Sequence, residues 1–309
     1  MNLNNIAEFL NQKFLSEPFK EKFERTILTV AIISFIIHLV LIALVHFHIL
    51  VINQPSNLLQ NPIAAIYTPF SFILVYEVYL LIYFLPKSFS NYIAKQYEIV
   101  ALIIIRRMFK DFSELSLTAD WFKNKGDLQF TFDLVASGLL FYLIFMFHKQ
   151  QKKTDHPVKK VTSNYPSLRK FIFAKKWIAA ALVPILLFTA IYSFLDWGSG
   201  IIWQTSNHIS FKNINNIFFE QFFSILIIAE VLILLFSFFN TDKFHVVIRN
   251  SGFVISTILI RISFSVSGIV NTLLIVSAVL FGLLMILIHD KFEKMLNKEI
   301  DFSEGNPQE

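Results

Sequence analysis

Cysteine is absent from the 309 residues. Its absence excludes disulfides, thiolate metal centres and cysteine nucleophiles, and leaves the redox compartment open. Charge is scarce too: Asp, Glu, Lys and Arg make up 16% of the chain, against about 25% in soluble domains. So little charge cannot cover a water-facing surface. Glycine is limited to eight residues. No HExxH helix, nucleophile elbow, P-loop or dinucleotide-binding glycine pattern occurs. The glycine-containing "DWGSGIIW" (196–203) follows an apolar run and not a strand, so it reads as a turn and not a phosphate cradle. No soluble domain is left over to hold a catalytic site, and the chain reads as neither an enzyme nor a cofactor protein.

What remains is apolar. Hydrophobic residues make up 55% of the chain and mean hydropathy is +0.59. Thr26–Val51, Ile63–Leu85, Phe130–Phe147, Trp177–Leu195, Ile217–Phe239 and Ile269–Ile288 each approach the ~20 residues that cross a hydrocarbon core. Phe244–Val266 is a further run, interrupted by Arg249 and Arg261. The first run is too long for a signal-peptide core and reads as a retained span. The expected class is therefore an all-α polytopic membrane protein. Heavy use of Phe, Ile, Lys and Asn favours a bacterial inner membrane.

The number of spans turns on "YEIVALIIIRRMFKDF" (97–112). If it does not cross, seven spans divide the 27 Lys and Arg residues almost evenly between the two sides. If roughly Ser88–Lys110 crosses, there are eight spans and both termini are cytoplasmic. Most basic residues, including every one in the 149–176 loop, then lie inside, as the positive-inside rule requires. The net charge of +5 is thus a topology signal facing anionic lipid headgroups or a cytoplasmic partner. It is not a nucleic-acid footprint. A homo-oligomer is compatible with this reading.

An internal repeat also favours eight. "FSFILVYEVYLLIYFL" (70–85) lies over "FSILIIAEVLILLFSF" (223–238), placing Ser71 on Ser224 and Glu77 on Glu230. The register continues, with one residue of extra offset, through Lys95 on Arg249, Gln96 on Asn250 and Arg107 on Arg261. After a shorter second connection it reaches His148 on His289. Polar residues matched in a fixed order carry the weight, although the first and fifth spans align poorly. The expected organisation is a cytoplasmic segment 1–25, a four-helix repeat 26–148, a basic linker 149–170, a second four-helix repeat 171–290 and a cytoplasmic tail 291–309. The two repeats run in the same direction, about a pseudo-twofold along the membrane normal. Residues 113–126, with Trp121 as an anchor, read as an outer insertion in the first repeat.

Charge inside a bilayer needs a partner or a task. Glu77 and Glu230 fall near mid-depth, each next to a helix carrying cations at both ends: Lys95 with Arg106 and Arg107, and Arg249 with Arg261. Asp133 is placed to neutralise Arg106 or Arg107, Glu220 to neutralise Arg261, and Lys95 and Arg249 to reach the headgroups. The bland expectation is that these charges lock helices together. The functional one is that Glu77 and Glu230 line a path for a proton or small cation between the halves, as in a transporter or channel. The alternative is a non-conducting sensor or assembly subunit. A voltage-sensor bundle is disfavoured, because the three-residue period through Lys95, Glu98, Arg107 and Lys110 is broken at Ala101 and Ile104. His38 reads as a packing residue. His148 and His289, at equivalent helix ends, are at most a weak metal pair.

Overall fold

The computed structural model describes residues 9, 12–50, 59, 62–112, 125–154, 173–185, 188–189, 211–238 and 243–304. Among them there is no strand. The helices are α1 (Glu17–His46), α2 (Tyr67–Phe84, entered through a 3-10 turn Pro62–Ile66), α3 (Phe89–Phe112), α4 (Lys125–Thr154), α5 (173–185), α6 (Phe211–Phe238), α7 (Phe244–Phe264) and α8 (Ile269–Glu304).

Local chemistry explains the helix ends. Helix α1 starts after Ser16, whose backbone is extended, and carries proline in its first two positions and Glu17 in its first turn. There a missing N–H is harmless and a carboxylate suits the dipole. Pro86, two residues past the end of α2, cannot continue that helix. Between α7 and α8, Gly268 adopts a φ of 73°, the left-handed conformation that glycine tolerates best.

Among the described residues, four helices are long and apolar enough to cross a membrane: α1, the Gly126–Lys153 part of α4, α7, and the Ile269–Leu296 part of α8. The apolar parts of α2 and α6, Thr68–Phe84 and Phe222–Phe238, are shorter. Helix α3 falls below that apolarity because Lys95, Glu98, Arg106, Arg107, Lys110 and Asp111 all sit on it. Such helices point to a membrane-embedded protein. In α1 only 11% of the apolar window is buried, and Ile32, Ile33, Ile36, Ile37 and Val40 are exposed on it. That surface is suited to lipid and not to water.

The packing order is α1–α2–α3–α4–α8–α7–α6, and α3 also touches α7 and α8. Helix α3 is therefore the most enclosed element. Tyr92, Ile93, Ala94, Gln96, Tyr97, Ile99, Val100, Ala101, Ile104 and Arg106 are all buried. Ala179, Leu182 and Val183 of α5 join the same core as α2, α3, α4, α6, α7 and α8. Aromatic rings bridge the centre: Tyr97 meets Phe147 edge-on at 5.1 Å, and Phe253 stacks on Phe89 at 6.1 Å. At the periphery α1 and the residues just before it are bound to α2 by Tyr76 donating to Glu24 (2.6 Å), Tyr79 donating to the Phe14 carbonyl (2.7 Å) and Tyr83 donating to Glu17. His38 is hydrogen-bonded to Thr68.

One close approach depends on a missing side chain. A Cβ added to Gly282 would lie 1.6 Å from the Tyr97 hydroxyl, and Tyr97 is fully buried and bonded to Ser256 at 2.8 Å. Overpacking of this kind costs about 1–3 kcal/mol. Gly282→Ala is therefore expected to lower the melting midpoint in detergent, and Tyr97→Phe on that background to recover part of the loss. Gly138, with nothing within 4 Å of its added Cβ, supplies the contrast: Gly138→Ala should melt no lower than wild type.

Candidate functional site

Among the described residues, three sets of buried polar side chains lie around α3: one on Asp133, the Arg106–Glu77 pair and one on Glu230. The first is built on Asp133, whose side chain is 0% exposed. Arg107 clasps it with two N–H donors at 2.7 and 2.8 Å, the bidentate geometry that makes arginine–carboxylate pairs strong. The remaining Arg107 donors reach Asn271 Oδ1 at 2.6 Å and Thr272 Oγ1 at 2.7 Å. Thr272 and Gln129 in turn donate to Asp133 at 2.6 and 2.9 Å. Each carboxylate oxygen thus has a donor, and α3, α4 and the start of α8 are tied together. Of the two arginines expected to neutralise Asp133, Arg107 does so. Asn271 and Thr272 were not anticipated, although polar residues opening an otherwise apolar run were a visible signal.

The neighbouring Arg106 turns the other way, to Glu77 of α2. Nη2 lies 3.4 Å from Oε2, and both side chains are almost completely buried. Glu77 is therefore one half of an ion pair. Lys95 is paired with Glu98 on its own helix. The reason is spacing, since a residue three positions along a helix is the closest available counter-charge.

Glu230 is different. Its residue is 0% exposed and Oε1 accepts from Tyr92 Oη and Gln96 Nε2, each at 2.5 Å. Gln96 Nε2 also donates to Tyr92 Oη at 2.7 Å. Thr257 Oγ1 donates to Gln96 Oε1 at 2.8 Å, which turns the amide so that its NH2 faces the carboxyl. Oε2 of Glu230 has no hydrogen-bond partner, and among the described residues no cation pairs with it. The expected flanking by Arg249 and Arg261 is corrected. Arg249 donates to Asn250 at 3.2 and 3.1 Å and lies 3.2 Å from His289 Nε2. Arg261 donates to Ser224 at 3.1 Å and Ser265 at 3.0 Å. The side chain of Glu220 lies outside the described residues, as do Trp121 and most of the 149–176 linker. Tyr92, Gln96 and Thr257 were missed as site residues. Gln96 stood out only as a repeat match, and a tyrosine on an apolar helix reads as core.

Burying an ionised carboxylate costs several kcal/mol unless a cation or a set of donors accompanies it. At Glu230 two neutral donors serve one oxygen, and the other has no hydrogen-bond partner. Among the described residues no cluster of three or more His, Asp or Glu side chains could hold a metal. His148 and His289 are each engaged by a different neighbour, Glu98 at 2.8 Å and Arg249 at 3.2 Å, and do not form a pair.

At the end of α5 before Trp177, the Lys175 ammonium donates to the Lys87 carbonyl at 2.9 Å. Burial, reinforced by the charge of Arg249, lowers its pKa to about 8 from 10.5. Between those values the unfolded chain binds more protons than the folded one, so folded stability rises with pH across that window. Melting in detergent at about pH 7.5 and 10 should show the rise, and Lys175→Gln should flatten it.

The chain matches no protein-family model, no curated protein and no solved structure, so its functional reading rests on its own residues.

Proposed function

We propose that the chain is an integral membrane transporter or channel-like protein, in which Glu230 binds and releases a proton or small monovalent cation. One observation carries the reading: Glu230 is enclosed in apolar surroundings, held from α3 and free of any described counter-cation, with one oxygen unoccupied. An intramembrane ionisable group without a structural partner is a functional site by default.

The architecture we propose around it is eight spans in two parallel four-helix repeats, with both termini on the inner side of a bacterial cytoplasmic membrane. Three observations support it. Fourth helices pack on each other (α4 on α8) and third helices meet (α3 with α7), the like-to-like pairing that a twofold relation generates. The aligned pairs Glu77 and Glu230 both lie buried. Helix α3 is too charged to face lipid, yet its neighbours cover it, so it can cross within the bundle. The two carboxylates have diverged: Glu77 locks α2 to α3 through Arg106, while Glu230 remains open.

The test is reconstitution in liposomes with proton-, sodium- and potassium-sensitive dyes. Wild type should carry flux of one of these ions above protein-free vesicles, and Glu230→Gln should not. Wild-type flux no greater than that of protein-free vesicles for all three ions would overturn transport and leave the non-conducting sensor or assembly subunit.

A further inference from the structure

The inner ends of α2, α3 and α4 enclose an open cleft of about 360 Å3, separate from the Glu230 network. Its polar wall is ordered by one acid. Glu98 accepts from Lys95 on Oε2 and meets His148 Nε2 on Oε1 at 2.8 Å, so both carboxylate oxygens are occupied and the two bases are held on either side of it. Gln151 donates to Asn91 across the rim. Lys152, exposed one turn beyond His148, adds a second ammonium. Lysine therefore outnumbers carboxylate in the cleft, and Phe84 forms its apolar side.

Outward from this cleft both helix faces turn apolar. On α4 the positions three and four apart that lead to His148 and Lys152 are Leu134, Phe141 and Phe145, all at least half exposed. On α3 the row through Lys95 and Glu98 continues to Leu102 and Phe109, which are also exposed. Residues at this spacing share one face of a helix. Gly138, on the edge of the α4 row, leaves open space there. Each face is thus amphipathic along the helix axis, basic at the inner end and apolar above it. That is the profile of a single amphiphile carrying an anionic head and a hydrocarbon tail. A free anion would use only the lower part.

We infer that this cleft binds the phosphate of an anionic phospholipid of the inner leaflet, with an acyl chain lying along Leu102, Phe141 and Phe145. The inference rests on the proposed membrane orientation only in setting the cleft at headgroup depth. Lysines at a membrane surface contribute about 1 kcal/mol each, so removing both should weaken retention roughly thirtyfold.

The experiment is native mass spectrometry of the full chain taken from nanodiscs of phosphatidylcholine with or without phosphatidylglycerol. Wild type should keep phosphatidylglycerol in preference to phosphatidylcholine. Lys95→Gln/Lys152→Gln should lose it, Lys95→Arg/Lys152→Arg should keep it, and Gly138→Trp, which fills the tail groove, should weaken it. Lys294→Gln, a lysine elsewhere on the inner side, should change nothing. Glu230→Gln should retain the lipid whatever its flux, so failure of the ion site and failure of the lipid site give different results. Equal retention by wild type and the double glutamine variant overturns the proposal. So does equal retention of both lipids, or a thermal shift with inorganic phosphate alone that matches the shift with the lipid.

Discussion

Asp133→Ala is expected to destabilise the folded protein by about 3 kcal/mol. That is the low end of the 3–5 kcal/mol seen when one partner of a buried ion pair is removed, because the Arg107 side chain keeps 28% exposure. The loss comes from the arginine left behind. With the carboxylate gone, Arg107 retains only Asn271 and Thr272, two neutral acceptors for a full charge, and Gln129 and Thr272 lose their acceptor. The measurement is thermal melting in detergent, combined with a double-mutant cycle. Arg107→Met/Asp133→Leu should recover most of the stability, since paired apolar replacement leaves no charge stranded. A melting midpoint for Asp133→Ala equal to that of wild type would show that the α3–α4–α8 cluster holds nothing together.

The two glutamates that align in the sequence should respond in opposite ways. In Glu230→Gln the carbonyl oxygen can still accept from Tyr92 and Gln96 and no cation is left unpaired, so the fold should melt near wild type. Its flux should fall about a hundredfold or more, the usual contribution of a positioned proton-transfer group. Glu77→Gln leaves Arg106 charged against a neutral amide inside the bundle. It should melt several degrees lower, while the protein that remains folded still conducts. Melting curves and liposome flux on the same preparations separate the two. If both variants lose flux without losing stability, Glu77 belongs to the path and the asymmetry drawn from Arg106 is wrong.

Much of the architecture could be read from hydropathy and the placing of charge. Residues 26–46 of the first apolar run lie in the exposed helix α1, and the run bearing Arg249 and Arg261 is helical over Phe244–Phe264. Pro86 and Gly268 mark real breaks, because fixed φ and positive φ are local properties. The eight-span count is a different matter. Helix α3 fails any test of apolarity as an isolated segment, and what lets it sit inside the bundle is its enclosure by α2, α4, α7 and α8.

The candidate site divides along the same line. That Glu77, Glu230, Arg107 and Asp133 need an explanation follows from their position in apolar runs, since lipid and core alike solvate ions poorly. Which charge meets which does not follow. Arg106 and Arg107 are adjacent, so on a helix they point about 100° apart, and sequence alone let either serve Asp133. Packing sent one to α4 and the other to α2. Likewise, composition placed Glu230 among cations, and the neutral donors that hold it, Tyr92 and Gln96, are more than 130 residues away along the chain. Patterning along one chain reports how costly a buried group is, because that depends on the residue and its surroundings in bulk. Its partner is set by helix rotation and crossing, which arise only when several helices bury their faces together.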